Sequence, residues 1–176
     1  LAVIVNEFGE LGIDREMLLG CGDATCRDDD IVELANGCLC CTVADDFLPT
    51  LTRLIERAEP PGHIVVETSG LALPKPLVQA FNWPDIKNAF TVDAVVTVVD
   101  ALATAEGRFA EDPVAVDAQR RADPNLDHES PLHELFEDQL SAADLVVLTK
   151  SDLVTPAQRA EVETLVRAGV PASVKI

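Results

Sequence analysis

Apolar positions along the chain fall into two alternating patterns. Short runs rich in β-branched residues recur at 2–5, 63–66, 92–99, 145–148 and 172–176. Each is almost wholly apolar, the pattern of strands buried on both faces of a parallel sheet. Between these runs the apolar spacing changes to three and four. Phe47, Leu48, Leu51, Leu54, Ile55 and Ala58 trace one face of an amphipathic helix, which Pro60-Pro61-Gly62 stops. Pro49 fits this helix only in its first turn, where its missing N–H has no intrahelical partner to lose.

Two further helices carry start signals. Ser130 before Pro131 is an N-cap followed by a first-position proline, with Leu132, Leu135, Phe136 and Leu140 on one face. Thr155, Pro156 and Gln158 spell a capping box, and Gly169 is placed to end that helix in a left-handed turn. The alternation of strand and helix predicts an α/β fold with a doubly wound, mostly parallel sheet. Residues 103–130 follow neither period. Asp, Glu, Arg and Pro dominate there, and the stretch is read as an insertion or long surface loop, partly helical over 114–121.

Composition narrows the partners more than the fold. The 176 residues suffice for one domain with a full core, and 48% hydrophobic against 25% charged is an ordinary globular balance. Thirteen basic against 31 acidic side chains give a net charge of −18. That field repels nucleic-acid backbones and anionic lipid surfaces, so neither is expected as a partner, although a locally basic pocket can still hold one nucleotide. No apolar run reaches the about 18 residues needed to cross a bilayer; even 92–99 is broken by Asp93. The opening run has no basic segment before it and no cleavage pattern, so it is read as a strand and not a signal peptide. The start at Leu1, where Met would stand, is read as artificial.

Cysteine usage brings in chemistry. There are five cysteines, an odd number, and Cys38, Cys40 and Cys41 fall within four residues, too tight for ordinary structural bridges. Reduced thiols in the cytoplasm fit better. Thiolates are soft ligands for zinc, cobalt(II) or copper(I), and a turn at Gly37 in Asn36-Gly37-Cys38-Leu39-Cys40-Cys41-Thr42 lets close sulfurs converge on one ion. A closed structural zinc site needs a second pair of ligands, and none follows at recognisable spacing, which favours an open, exchangeable position. Inert buried cysteines and a thiol-redox role stand as the alternatives.

Three more segments carry candidate functional residues. His63-Ile64-Val65-Val66-Glu67-Thr68-Ser69-Gly70 is a strand ending in an acid and then a glycine. In nucleotide hydrolases such an acid holds magnesium through water or polarises the attacking water, and the glycine N–H contacts the γ-phosphate; the same pattern also makes an ordinary turn. In Leu145-Val146-Val147-Leu148-Thr149-Lys150-Ser151-Asp152, a carboxylate just beyond a strand can accept both hydrogen bonds from the N1 and N2 edge of guanine, while the lysine stem packs over the base. Asp152 would thereby select GTP over ATP. Residues 6–14, with acids and two glycines after the first strand, read either as a loop ordered by γ-phosphate and magnesium or as a solvated acidic loop. His63 is read as a strand-edge residue, and His128 and His133 as surface or capping residues.

Taken in this order, the four segments resemble the CobW branch of the metal-chaperone GTPases, relatives of the hydrogenase and urease nickel-insertion GTPases. The Cys-x-Cys-Cys loop is the specific element, and Asp127-His128-Glu129-Ser130-Pro131-Leu132 looks like the CobW proteins associated with cobalamin synthesis. The resemblance implies a P-loop GTPase core in which GTP and Mg2+ pre-form a metal site that hydrolysis then loosens. Carried over by position, Cys38, Cys40 and Cys41 are metal ligands with Glu10 as a neighbour, and Glu67 is the magnesium and water-organising acid. Gly70 contacts phosphate, and Thr149, Lys150 and Asp152 recognise guanine. The implied activity is GTP hydrolysis coupled to delivery of Co2+ or Zn2+ to a client metalloenzyme, cobaltochelatase being the client that the cobalamin resemblance points to.

The family's Gly-x-x-Gly-x-Gly-Lys-Thr loop is expected about one helix before the first strand and is absent from this sequence. Residues 1–176 therefore read as a partial domain, without the phosphate loop and the family's C-terminal domain, that neither binds GTP tightly nor turns it over. A nucleotide-independent thiolate module for metal binding or storage is the competing reading.

Overall fold

A computed structural model describes residues 1–5, 30–33, 47–68, 70, 72–84, 86–109, 114, 116, 118 and 132–176. These pack as two compact units, each with its own parallel sheet.

The first unit holds β1 (Ala2–Val5), β2 (Ile31–Glu33) and β3 (Ile64–Glu67) in the order β2-β1-β3. Both pairs are parallel, with Val5 opposite Glu33 on one side and Glu67 on the other. The three strands thus end together at one edge. β2 is too short, at three residues, to stand out from the acidic run before it, and the apolar pattern does not predict it. Helix α1 (Leu48–Ile55) starts with Phe47 as its N-cap and Pro49 in the first turn, as expected, and ends three residues before Ala58. Its face of Thr50, Leu51 and Leu54 joins Ala2, Ile4 and Phe47 in the core. Phe47, Phe81 and Phe90 meet edge to face in succession, at centroid distances of 5.7 and 6.2 Å. Each such aliphatic or aromatic side chain taken fully out of water contributes roughly 1.5–3 kcal/mol before the entropy of ordering is charged against it. Arg57 pairs with Asp30 at 2.9 Å, tying the end of α1 to the start of β2. Helix α2 (Pro74–Ala80) is not predicted from sequence, because Pro74 and Pro76 look like breakers; both lie in its first turn, where no N–H is required.

The second unit holds β4 (Val96–Asp100), α3 (Ala101–Ala105), α4 (Leu132–Ser141), β5 (Leu145–Thr149) and α5 (Pro156–Gly169). β4 and β5 are parallel, Val96 opposite Leu145 and Asp100 opposite Thr149. The run expected as a strand from 92 pairs only from Val96. Asp144 takes the Val95 N–H on its carboxylate and donates its own N–H to the Val95 carbonyl, each at 2.8 Å, so the ladder starts after this clasp. The expected strand at 172–176 is reduced to a single bridge between Leu145 and Lys175. The chain turns there, the Val174 N–H donating to the Pro171 carbonyl, which leaves Lys175 to pair alone.

Helix α4 buries Leu135 and Leu140, and Leu140 packs with Val162 and Val166 of α5 against Val99 and Val146. The capping box at Thr155 and Gln158 forms as predicted. Gly169 corrects an expectation: it is the last residue of α5, it has no positive φ, and the chain leaves through an extended Val170. The glycine is there for clearance, since a Cβ would lie 2.8 Å from Leu140 Cδ1. Within the stretch expected as an insertion, residues 103–105 complete α3, and Val114, Val116 and Ala118 are helical.

Burial on both sheet faces is a second expectation that the structure corrects. Val65 (46%), Val96 (51%), Val98 (64%) and Val147 (40%) are exposed. In the second unit Leu140 of α4 and Val162 and Val166 of α5 meet the Val99 and Val146 face, and Thr97 on that same face donates to the Gln139 carbonyl at 3.2 Å. The α/β class and the parallel pairing stand as predicted. Among the described residues no helix is long and apolar enough to cross a membrane.

Candidate functional site: the turn at the end of β5

The second unit builds its site where β4 and β5 end. β5 stops at Thr149, whose hydroxyl donates to the Val99 carbonyl at 3.2 Å and so closes the strand pair at its last rung. Lys150 then takes φ 54, ψ 26, the left-handed region; among the described residues it is the one non-glycine with positive φ. That conformation costs a residue with a Cβ roughly 1 kcal/mol, so surrounding contacts must hold it. They are visible. The Ser151 hydroxyl donates to the Leu148 carbonyl at 2.7 Å, and the Leu153 N–H donates to the Lys150 carbonyl at 3.0 Å, rolling Ser151–Leu153 into a 3-10 turn. Asp152 sits exposed on that turn.

The Lys150 side chain runs back over the strand ends, and its ammonium lies 2.8 Å from Asp100 Oδ2. Asp100 ends β4 and caps α3, its Oδ1 accepting the Ala103 N–H at 3.0 Å, while its carbonyl accepts the Thr104 hydroxyl at 2.7 Å. Partial burial pushes the Asp100 carboxyl up, but the Lys150 hydrogen bond, the Ala103 amide and the lysine charge outweigh it and hold the group below the usual carboxylate range. Sequence reasoning passed over Asp100. The signal was available: an acid closing an apolar strand, the same signature that singles out Glu67.

Thr149, Lys150 and Asp152 are thus brought together in one turn of the second unit. Glu67 and Gly70 belong to the first unit. Glu67 is the exposed last residue of β3, at the edge where β1 and β2 also end. Gly70 is exposed, and a Cβ there would meet nothing within 4 Å, so packing does not demand glycine at that position. Glu10, Cys38, Cys40 and Cys41, the expected metal ligands, lie outside the described residues, as do His128, Cys21 and Cys26. Among the described residues no group of three or more His, Cys, Asp or Glu side chains is placed to hold a metal ion.

Parallel strands whose carboxyl ends carry acids, with the last strand turning into Thr-Lys-Ser-Asp, have the build of a nucleotide-binding α/β domain. Comparison with known proteins defines the class further. The chain matches the family described as CobW/HypB/UreG, nucleotide-binding domain, over residues 1–174, and it belongs to that family. It is 64% identical over 154 residues to the zinc chaperone CobW of a Sinorhizobium species, covering 88% of this chain and 44% of that protein. To the zinc chaperone CobW of Pseudomonas aeruginosa it is 58% identical, covering 100% of this chain and 48% of the relative. A zinc-regulated GTPase metalloprotein activator 1 from Schizosaccharomyces pombe is 32% identical over 88% of the chain and 33% of its own length. The chain therefore spans less than half the length of each of these relatives. No solved structure matches it.

Proposed function

We propose that this chain is the nucleotide-binding part of a GTP-dependent metal chaperone that hands zinc, or alternatively cobalt(II), to a client metalloenzyme in the cytoplasm. The observation that carries the reading is the Thr149–Asp152 turn in a chain of this family. A left-handed Lys150 leads to an exposed carboxylate at Asp152, three residues past the strand, and that carboxylate can accept from guanine N1–H and the N2 amino group together. Adenine offers no such pair of donors. Glu67, exposed at a strand end, suits water-mediated hold of the magnesium that accompanies GTP and neutralises phosphate charge. The doubly wound P-loop architecture belongs to the same reading.

Zinc stands first as the cargo because two relatives of 64% and 58% identity bear zinc in their names. Cys38, Cys40 and Cys41, with Glu10 nearby, are the proposed ligands; thiolates also accept cobalt(II), which makes it the spectroscopic substitute. In the full-length protein, Co(II) is titrated with and without GTP and magnesium while the thiolate charge-transfer band is followed. Affinity should rise with GTP and be lost in Cys40→Ala. Binding that ignores GTP would instead establish a nucleotide-independent storage module. Asp152→Asn tests the guanine arm: its amide can donate to the 2-oxo group of xanthine, so preference should move from guanosine to xanthosine nucleotides.

A further inference from the structure

We propose that Asp100 is a positioning residue of the guanine site, acting through Lys150 by anchoring its ammonium so that the aliphatic stem is laid out before a base arrives. The inference rests on the guanine-site reading above and adds a residue to it. Its basis is a juxtaposition that the tertiary structure creates between the ends of two strands. Asp100 and Thr149 are register partners on β4 and β5, so the carboxylate stands beside the point where the chain turns into Lys150. Both its oxygens are engaged. Oδ2 meets the Lys150 ammonium at 2.8 Å, and Oδ1 accepts the Ala103 N–H at 3.0 Å at the start of α3.

This differs from a loose surface pair, in which two long side chains must both be ordered for little gain. Here the anion is short, sits at the end of a paired strand and is fixed by a helix start, so only the lysine is ordered by the contact. The Lys150 backbone is fixed as well, by its left-handed conformation and by the Leu153 N–H on its carbonyl. With backbone and head both held, the four methylenes between them have few conformations left. They form an apolar shelf next to Asp152 on the same turn. A base stacking on that shelf does not have to freeze a free lysine, and binding gains by that preorganisation.

The test uses the full-length protein, a fluorescent GDP analogue as probe, and competition by unlabelled GDP and IDP. Asp100→Asn keeps an oxygen for the Ala103 cap and turns an NH2 toward the ammonium, so the tether is lost while the helix start is kept. Lys150→Met keeps most of the stem and loses the head. Each should weaken GDP about three- to tenfold, the share of a long side chain's rotamer freedom that the tether removes in advance. The double variant should lose no more than either single one, because both remove the same tether. The GDP-to-IDP affinity ratio should stay unchanged throughout. Hypoxanthine lacks the N2 amino group, so a general disturbance of the turn around Asp152 would move that ratio. Additive losses, an altered ratio, or unchanged or tighter GDP binding in Asp100→Asn would each overturn the proposal. The outcomes are separable from the parent reading: if Asp152→Asn does not shift base preference, the guanine site itself fails, whereas a shift there with an inert Asp100→Asn removes only the positioning role.

Discussion

Gly169→Ala sets two known effects against each other at one carbon atom. Within a helix, alanine is favoured over glycine by about 1 kcal/mol, less at the terminal position that Gly169 occupies. On propensity alone the substitution stabilises. The structure reverses the sign. The new methyl would stand 2.8 Å from Leu140 Cδ1, 3.3 Å from its Cβ and 3.7 Å from its Cγ. Leu140 is 1% exposed, among Val99, Val146, Val162 and Val166, so its side chain has little room to rotate away. The alternative is for α4 and α5 to move apart and loosen that cluster. Overpacking of this kind costs about 1–3 kcal/mol, and the balance is a net loss of about 1 kcal/mol. Urea unfolding of the full-length protein, with amide exchange in α4 and α5 as the local reporter, measures it. In a Leu140→Ala background Cδ1 and Cγ are gone and only Cβ remains, at 3.3 Å, with space around it to give, so the same Gly169→Ala step should cost less and turn neutral or stabilising. A stabilised single variant would refute the packing argument.

Two further outcomes follow from contacts in the second unit. Thr155→Ala removes the hydroxyl that accepts the Gln158 N–H and breaks the reciprocal capping box, which should cost about 1 kcal/mol and raise exchange in the first turn of α5. Because the folded Asp100 carboxyl is held below its unfolded value, its contribution to stability is fully present above an ordinary aspartate value of about 3.9 and is lost as the pH falls from there through the lower folded value. Asp100→Asn should therefore flatten stability in that acid window, in a comparison of urea midpoints against pH. An unchanged acid profile would show that the Lys150 pair contributes nothing to folding.

Elements that rest on local physics were legible in the sequence. β1 lies where its four apolar residues predicted, and α5 starts at its capping box, because a strand's apolar run and a helix's first turn are specified by near neighbours. The first-turn tolerance for Pro49 in α1 is local in the same way. Where the pattern was misleading, a distant partner was responsible. The run at 92–99 is uniformly apolar apart from Asp93, yet its pairing begins only past the Asp144 clasp, and Val96 and Val98 stay exposed because the helices of their unit pack on the other face.

The candidate site divides along the same line. Thr149, Lys150 and Asp152 could be marked from sequence because four consecutive residues after an apolar strand carry the signature, and the family match over residues 1–174 follows from the same kind of linear pattern. Sequence by itself thus determined the α/β class and the family, and it marked the Thr149–Asp152 turn as the candidate site. It was silent on Asp100, fifty residues from Lys150 along the chain, and on Leu140, which decides why position 169 is glycine. Those were settled only in the tertiary structure. Parallel pairing brings the ends of β4 and β5 to one edge, and helix packing brings α4 against the end of α5. A salt bridge or a steric limit depends on distances through space, which the linear pattern of apolar and polar residues does not encode.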